Sequence, residues 1–344
     1  MQQAHSPDLA IPTFDDVLAA QKRLAGRAVR TPLLFSPVLS DRLDARVYLK
    51  PECLQRTGSF KFRGAWNAVD ALGRQAAAGI VACSSGNHAQ GVAEAARIAG
   101  IPAVIVMPED APLLKRQRTA RSGARIVLYD RVAEDRDAIA QRIAEEEGLA
   151  FIHPFNNPMV IAGQGTAGLE IAEDCHALGI ELDVVLGPCS GGGLAAGTAL
   201  SVTERFPRAA VYTAEPQNFD DYRRSLSAGA PVRNAKKSGS VCDALLSPTP
   251  GAIGWEINRS RLAGGVTATD DEALRAVGFA FDEHRLVVEP GGAAGLAALI
   301  AGRLDVSGRN VVVMLSGGNI GDETLVEAIR LYRDGVEQLS SSAA

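Results

Sequence analysis

Three stretches of the chain combine reactive or anion-binding residue types with glycines that open the backbone. The first is Lys50-Pro-Glu-Cys-Leu-Gln-Arg-Thr-Gly-Ser-Phe-Lys-Phe-Arg-Gly64. It reads as a strand end, a glycine turn and a helix carried by Ala65, Trp66, Val69 and Leu72. Ser59 is placed as the N-cap, which puts Lys61 in the first helical turn. A cation there opposes the helix dipole unless its amine is neutralised, as in a Schiff base. The competing reading is a solvated lysine. The second stretch, Ala82-Cys-Ser-Ser-Gly-Asn-His-Ala-Gln-Gly91, offers hydroxyls and backbone N–H groups to an anion such as a carboxylate. A plain turn before an Asn-capped helix reads equally well. The third, Val184-Val-Leu-Gly-Pro-Cys-Ser-Gly-Gly-Gly-Leu194, exposes three successive glycines just before a helix and forms a phosphate cradle.

The third loop lacks the Gly-Lys-Ser/Thr ending of a nucleotide triphosphatase. Gly191, Gly193 and Ala196 do fit G-x-G-x-x-A, with Glu215 about 20 residues on at the ribose-binding place, so a dinucleotide-dependent oxidoreductase stays open. The combination discriminates. An anchor for phosphate, a helix-start amine and a carboxylate clamp are what an amino-acid enzyme using pyridoxal phosphate requires.

The elements that must position these residues follow an alternating rhythm. Short Val- and Ile-rich runs at 46–49, 80–83, 103–107, 125–129, 183–187, 210–215 and 310–315 are separated by longer helical patterns, which predicts an α/β fold with parallel strands and helices on both faces. Thr13-Phe-Asp-Asp16 predicts a capping box. Pro112 suits a first helical turn, and Gly100 and Gly148 mark helix ends.

The chain has 344 residues, 47% hydrophobic and 22% charged, which excludes disorder, collagen and coiled coil as whole-chain readings. At roughly 150 residues per domain the length suggests two domains. Lys plus Arg number 35 against 40 Asp plus Glu, a net charge of -5 without a basic stripe, so no nucleic-acid partner is expected. The apolar runs 293–301 and 311–315 fall short of the ~20 residues of a membrane span. Residues 1–10 lack a secretory pattern, giving a cytoplasmic expectation. Five cysteines without a C-x-x-C pair read as reduced packing residues. The tail 340–344 is disordered by composition.

Thr57-Gly-Ser-Phe-Lys-Phe-Arg-Gly64, Ser84-Ser-Gly-Asn-His88, Ser190-Gly-Gly-Gly-Leu194 and Ser316-Gly-Gly-Asn319 resemble, in order, the motifs of the serine/threonine dehydratase and serine racemase family, in the pyridoxal-phosphate fold type II group. The resemblance runs from about residue 12 to about 330. It implies a tryptophan synthase β-like fold of two α/β domains with the cofactor in the cleft. The large domain would comprise 1–74 and 157–344, and the inserted small one 75–156.

The resemblance further implies that Lys61 carries the cofactor, with Phe60 beside the ring and Asn87 on its phenolic oxygen. Ser190, Gly191, Gly192, Gly193 and Leu194 hold the phosphate, and Ser316 faces the pyridine nitrogen. Ser190 replaces a glycine of many relatives, which requires a backbone that avoids positive φ there. Ser84, Ser85, Asn87 and His88 bind the substrate carboxylate. Lys61 and Ser85 are the catalytic pair, with Ser85 aligned to the opposite-face acid/base of the racemases. Ala214-Glu-Pro-Gln-Asn-Phe-Asp-Asp221 resembles a divalent-cation loop in which Glu215, the Phe219 carbonyl and Asp221 take magnesium or calcium. A solvated acidic loop is the other reading.

The implied reaction is ammonia-lyase β-elimination of a small amino-acid substrate. L-threonine would give 2-oxobutanoate and ammonia, and L-serine pyruvate and ammonia. Serine racemisation and 3-hydroxyaspartate dehydration are the alternatives. Family habit implies a homodimer. Phe155 after His153-Pro154 and Ser122 before Gly123 depart from the ATP-activated relatives, and the short stretch after the last motif leaves no isoleucine-regulatory domain. Neither regulation is expected.

Overall fold

Short, continuous apolar runs buried on both faces build two separate sheets, seen in a computed structural model that describes residues 9–84, 86–111, 113–130 and 132–342. In chain order the strands are β1 (Leu34–Phe35), β2 (Arg46–Pro51), β3 (Ile80–Cys83), β4 (Ala103–Pro108), β5 (Arg125–Tyr129), β6 (Ala150–Phe151), β7 (Val184–Pro188), β8 (Ala210–Pro216), β9 (Leu262–Ala268) and β10 (Asn310–Leu315). One sheet has the order β1-β2-β10-β7-β8-β9 and the other β5-β4-β3-β6. Every pairing is parallel except β1 with β2.

Successive strand residues point to opposite faces, so each strand feeds two cores. Val311, Val313 and Leu315 of β10 join Val277 and Phe279 of the helix Asp270–His284. Val312 and Met314 turn instead to Ala167 and Ile171 of the helix Pro158–Ala177. In the smaller sheet Ile80, Ala82, Ile105 and Met107 pack under the helices Lys61–Leu72 and Asn87–Ala99. Val81, Cys83, Val104 and Val106 face Ala140 and Ile143 of the helix Arg136–Glu147.

The seven expected strands are present, their ends matching to within two residues. Three more were not anticipated. β1 and β6 have only two residues each, and β9 reads Leu-Ala-Gly-Gly-Val-Thr-Ala, where paired glycines erase the alternation. At Gly265 a β-carbon would lie 2.8 Å from Thr213 Oγ1, so the glycine permits close approach of β8. Asp16 accepts from Thr13 N and Oγ1 at 2.8 and 2.9 Å, and Gly100 and Gly148 end their helices left-handed, at φ 70° and 67°. Pro112 lies outside the described residues. The tail expectation is corrected for residues 340–342, which end the last helix, Asp322–Ser342, because an established helix gains a hydrogen bond with each residue it adds; residues 343–344 lie outside the described residues.

The stretches singled out above follow the carboxyl ends of β2, β3, β7 and β10. Those are the strand ends that border the crevice in open parallel sheets.

Candidate active site

The helix Lys61–Leu72 starts at Lys61, and Phe60, not Ser59, occupies the N-cap. Ser59 is extended, bridges Gly317 antiparallel, and leaves its buried Oγ without a partner among the described residues. This pairing of positions far apart in the chain overrides the local capping signal. It has a useful result: Phe60 N donates to the Ser316 carbonyl at 3.1 Å, which draws the Ser316 loop to the lysine. Lys61 Nζ donates to the Pro154 carbonyl at 2.9 Å and lies 5.2 Å from the Phe60 ring centre. Burial, and next Arg136, lower its pKa to about 8, so a minor but sizeable fraction of the amine is neutral near physiological pH.

His153 holds the turn that supplies this carbonyl, its Nδ1 accepting from Asn156 N at 2.9 Å. Burial lowers the His153 pKa to about 4, which keeps the ring an acceptor. The next side chain, Phe155, lies against the third stretch. A β-carbon on Gly191 would collide with its ring, and one on Gly193 would sit 3.2 Å from its carbonyl. Gly192 adopts φ +88°, and a β-carbon there would fall inside the Tyr222 hydroxyl. Asn258 Nδ2 ties the two together, donating to Tyr222 Oη and to Gly192 O at 3.1 Å each.

The helix Gly193–Arg205 begins at this point, so its first-turn N–H groups, Leu194 among them, have no intrahelical acceptor. Ser190 avoids positive φ as its place requires, and its Oγ sits 2.9 Å from Ser247 Oγ. The loop suits a phosphate through its backbone N–H groups at a helix start, and its glycines admit the Phe155 and Tyr222 side chains that press on it. We expect Gly192→Ala to weaken cofactor binding about 10- to 100-fold, from the 1–3 kcal/mol typical of strained positive φ plus the Tyr222 clash, read by equilibrium titration with pyridoxal phosphate.

The second stretch reaches the same place. Gly91 lets the helix Asn87–Ala99 pack against the start of the lysine helix, a β-carbon there lying 3.2 Å from the Lys61 carbonyl. Gly86 is its N-cap, and Ser84 Oγ accepts from Gly86 N at 3.2 Å, closing the loop. Asn87 is buried and faces Gly317 and Glu289. Ser85 lies outside the described residues. The structure gives the His88 ring a partner inside the fold. Its Nε2 is 3.1 Å from the Ile152 carbonyl, its Nδ1 is buried without a partner, and burial lowers its pKa to about 3. A neutral ring donating to a carbonyl holds the fold, and what this residue can still offer an anion is its backbone N–H.

Glu215 is fully buried and accepts from Tyr222 N and Arg223 N at 2.8 Å each, fastening the helix Asp221–Ala228. It is closed to a ribose, which removes the dinucleotide reading. Asp221 Oδ1 takes Asn234 Nδ2 at 2.6 Å, while its buried Oδ2 has no partner. Burial, and then the neighbouring carboxylate Asp221, raise Glu215 well above the usual range. Burial raises Asp221 to about 7. Phe219 is buried between them in sequence. Among the described residues no cluster of three or more His, Cys, Asp or Glu is arranged for a metal, and the five cysteines are free thiols.

The fit of lysine, cradle and loop to one cofactor agrees with comparison to known proteins. A family model for pyridoxal-phosphate dependent enzymes matches residues 25–317. The chain is a member of that family. It is 38% identical to L-threo-3-hydroxyaspartate ammonia-lyase of Saccharomyces cerevisiae, covering 95% of this chain and 99% of the relative. It is 40% identical to L-threonine ammonia-lyase of Thermotoga maritima, covering 92% and 78%. The structure of maize serine racemase superposes with a TM-score of 0.87 at 33% identity, covering 95% and 99%. The pyridoxal-phosphate enzyme thus has the fold type II architecture expected from its motifs.

Sequence reasoning named Pro154 and Phe155 only as a departure from ATP-activated relatives and not as the link from the lysine to the cradle, and it missed Tyr222 and Asn258, which buttress it. It quoted Asn319 without a role. The glycines were the available signal, since each collision above names the side chain that presses on the loop.

Proposed function

We propose that the chain catalyses β-eliminating deamination of a small β-hydroxy amino acid, L-threonine to 2-oxobutanoate and ammonia and L-serine to pyruvate and ammonia. The observation that carries this reading is the half-buried, partly neutral Lys61 amine beside the helix starts at Asn87 and Gly193. The ammonia-lyase relatives support the reaction type. Lys61 would hold pyridoxal phosphate beside Phe60, with its phosphate on Ser190, Gly191, Gly192, Gly193 and Leu194, its phenolic oxygen by Asn87 and its pyridine edge by Ser316. Bound there, the cofactor would supply the electron sink that acidifies the substrate α-carbon and frees its β-hydroxyl.

The remaining work belongs to the chain. The first-turn N–H groups at Asn87 and His88, with the Ser84 and Ser85 hydroxyls, orient the substrate carboxylate. Lys61 Nζ takes the α-proton and must be neutral to do so. Ser316, an uncharged partner, would leave the pyridine nitrogen of the bound cofactor unprotonated, which would favour elimination over transamination. Ser85 on the opposite face would serve serine racemisation as a side activity.

The pH dependence follows from the lysine. Its pKa is lowered to about 8, so the base is in its active form above that value. kcat, which reports the substrate-bound enzyme in which the Lys61 amine is free, is expected to rise through about pH 8 and then level. A flat profile from pH 6.5 to 9 would contradict the assigned base. The substrate is tested by product: 2-oxobutanoate from threonine supports the reading, whereas loss of optical rotation from serine, or ammonia from 3-hydroxyaspartate alone, would assign the alternatives.

Glu215, the Phe219 carbonyl and Asp221 would hold magnesium or calcium. The buried, unpartnered Asp221 Oδ2 and the mutual repulsion of the two carboxylates support an oxygen-ligated cation there. The two-domain division, 1–74 with 157–344 and 75–156, is supported by the confinement of β3 to β6 to residues 80–151. Assembly as a homodimer and a cytoplasmic location complete the reading by family habit. No described helix is long and apolar enough to cross a membrane.

A further inference from the structure

Glu289 is a buried carboxyl, 3% exposed, that no step above uses. Its backbone N–H donates to the Gly317 carbonyl at 2.9 Å, and its Oε1 accepts from Asn87 Nδ2 at 2.5 Å. On the other side Asn87 Oδ1 accepts from Asn319 Nδ2 at 2.7 Å. Asn319 is itself held, Nδ2 donating to the Thr57 carbonyl and Oδ1 accepting from Arg118, each at 2.9 Å. Gly317 makes room for the carboxyl, since a β-carbon there would collide with Glu289 Oε1.

A primary amide has one carbonyl oxygen and two N–H bonds. Here the oxygen is turned to Asn319 and one N–H to Glu289, which leaves the second N–H for a ligand. We propose that Glu289 is a positioning residue: with Asn319 it locks the Asn87 amide in the orientation that turns an N–H, never the carbonyl, toward the phenolic oxygen of bound pyridoxal phosphate. This rests on the reading of Lys61 and Asn87 as cofactor residues. Without the carboxyl the amide can rotate, and its oxygen would then oppose the electron-rich oxygen of the ring.

The lock is sensitive to protonation. Burial pushes Glu289 up to about 7. Lys115, from the helix Leu113–Arg121, favours the ionised form, and Asp243 opposes it. The other groups facing this pocket are the Cys53 and Cys242 thiols, both raised to about 12 chiefly by burial, and Arg118 acting through Asn319. Glu289 is therefore the group there that changes charge near neutrality, and only its ionised form accepts from Asn87 without a competing proton.

The test uses the full chain loaded with pyridoxal phosphate, followed by absorption from pH 5.5 to 9 and by cofactor release into apo-acceptor. The wild type is expected to show an absorption step centred near pH 7. Glu289→Gln abolishes that step and releases the cofactor about tenfold faster, the scale of one charge-assisted hydrogen bond. Glu289→Asp retains a step at a displaced midpoint, which a merely structural role would not produce. Folded Glu289→Gln protein with the wild-type step and release rate overturns the proposal. Should that variant not fold, Asn319→Ala decides: faster release supports the lock, and unchanged release overturns it. A wild type that forms no borohydride-stable adduct on Lys61 overturns the cofactor reading itself, and this proposal with it.

Discussion

Lys61→Ala is expected to lower kcat/KM by about 10⁴-fold or more, because in the proposed function one side chain would serve both as cofactor attachment and as proton acceptor, and removal of a positioned base alone costs roughly 10²–10⁴. Lys61→Arg should not restore turnover, since a guanidinium stays protonated at any working pH. The structure separates this loss from misfolding. The lysine contributes one hydrogen bond, to a carbonyl on a turn that His153 already holds. Thermal stability of the alanine variant is therefore expected to remain close to wild type. Turnover within tenfold of wild type would remove Lys61 from the chemistry.

Arg63→Ala is expected to act in the opposite way, through the fold. Arg63 is two residues along the helix that Lys61 begins, and it is 1% exposed. Its guanidinium donates to Glu52 at 2.7 and 2.8 Å and to Glu170 at 2.7 and 2.8 Å, with Thr166 Oγ1 and the Val29 carbonyl at 3.2 and 3.3 Å. Lys50 Nζ completes the cluster, 2.7 Å from Glu170 Oε2 and from the Thr31 carbonyl. Two buried cations thus balance two buried carboxylates. Taking away Arg63 alone strands a carboxylate in the interior, a change that costs about 3–5 kcal/mol in comparable buried pairs. Urea denaturation is the measurement, and a midpoint within error of wild type would contradict the account.

Arg63→Lys should recover little of that loss, because an ammonium cannot span two carboxylates with five fixed donors. The acid limb follows from the same cluster. Burial would raise the Glu52 carboxyl, but Arg63 beside it more than offsets this and holds it below the ordinary glutamate value. Its contribution to stability is complete above the unfolded value and is lost as pH falls through the lower, folded one.

These effects also mark what was legible in the chain. Strands such as β3, β4 and β10 were readable because their side chains alternate between two apolar faces, a property carried by four to six consecutive residues. The glycines of the cradle were readable because a helix start with a bare backbone has few uses other than an anion. Long-range pairing was not readable. Ser59 looks like a cap until Gly317 is seen bridging it, and His88 looks like a ligand until the Ile152 carbonyl is seen beneath it. Glu215 ends a strand where a ribose-binding acid would stand, yet its oxygens are fixed by the helix it precedes. In each case a partner outside the local motif, or a backbone group that carries no residue-specific signal, decides the role.

The same division applies to the site as a whole. The residue types at Lys61, Ser84, Gly191 and Ser316 announced a cofactor enzyme, and their order in the chain fitted one family. The turn from His153 to Asn156, which gives the lysine its carbonyl partner and presses Phe155 on Gly191, carried no motif of its own. Its role exists only once the two sheets and their connecting helices have formed.

The most direct test of the central claim is borohydride reduction of the purified protein supplied with pyridoxal phosphate, followed by peptide mass spectrometry. The account predicts a yellow protein that bleaches on reduction, with one reduced pyridoxyl group on the peptide that carries Lys61. A protein that stays colourless with added pyridoxal phosphate, or a label distributed over surface lysines with Lys61 unmodified, would contradict it.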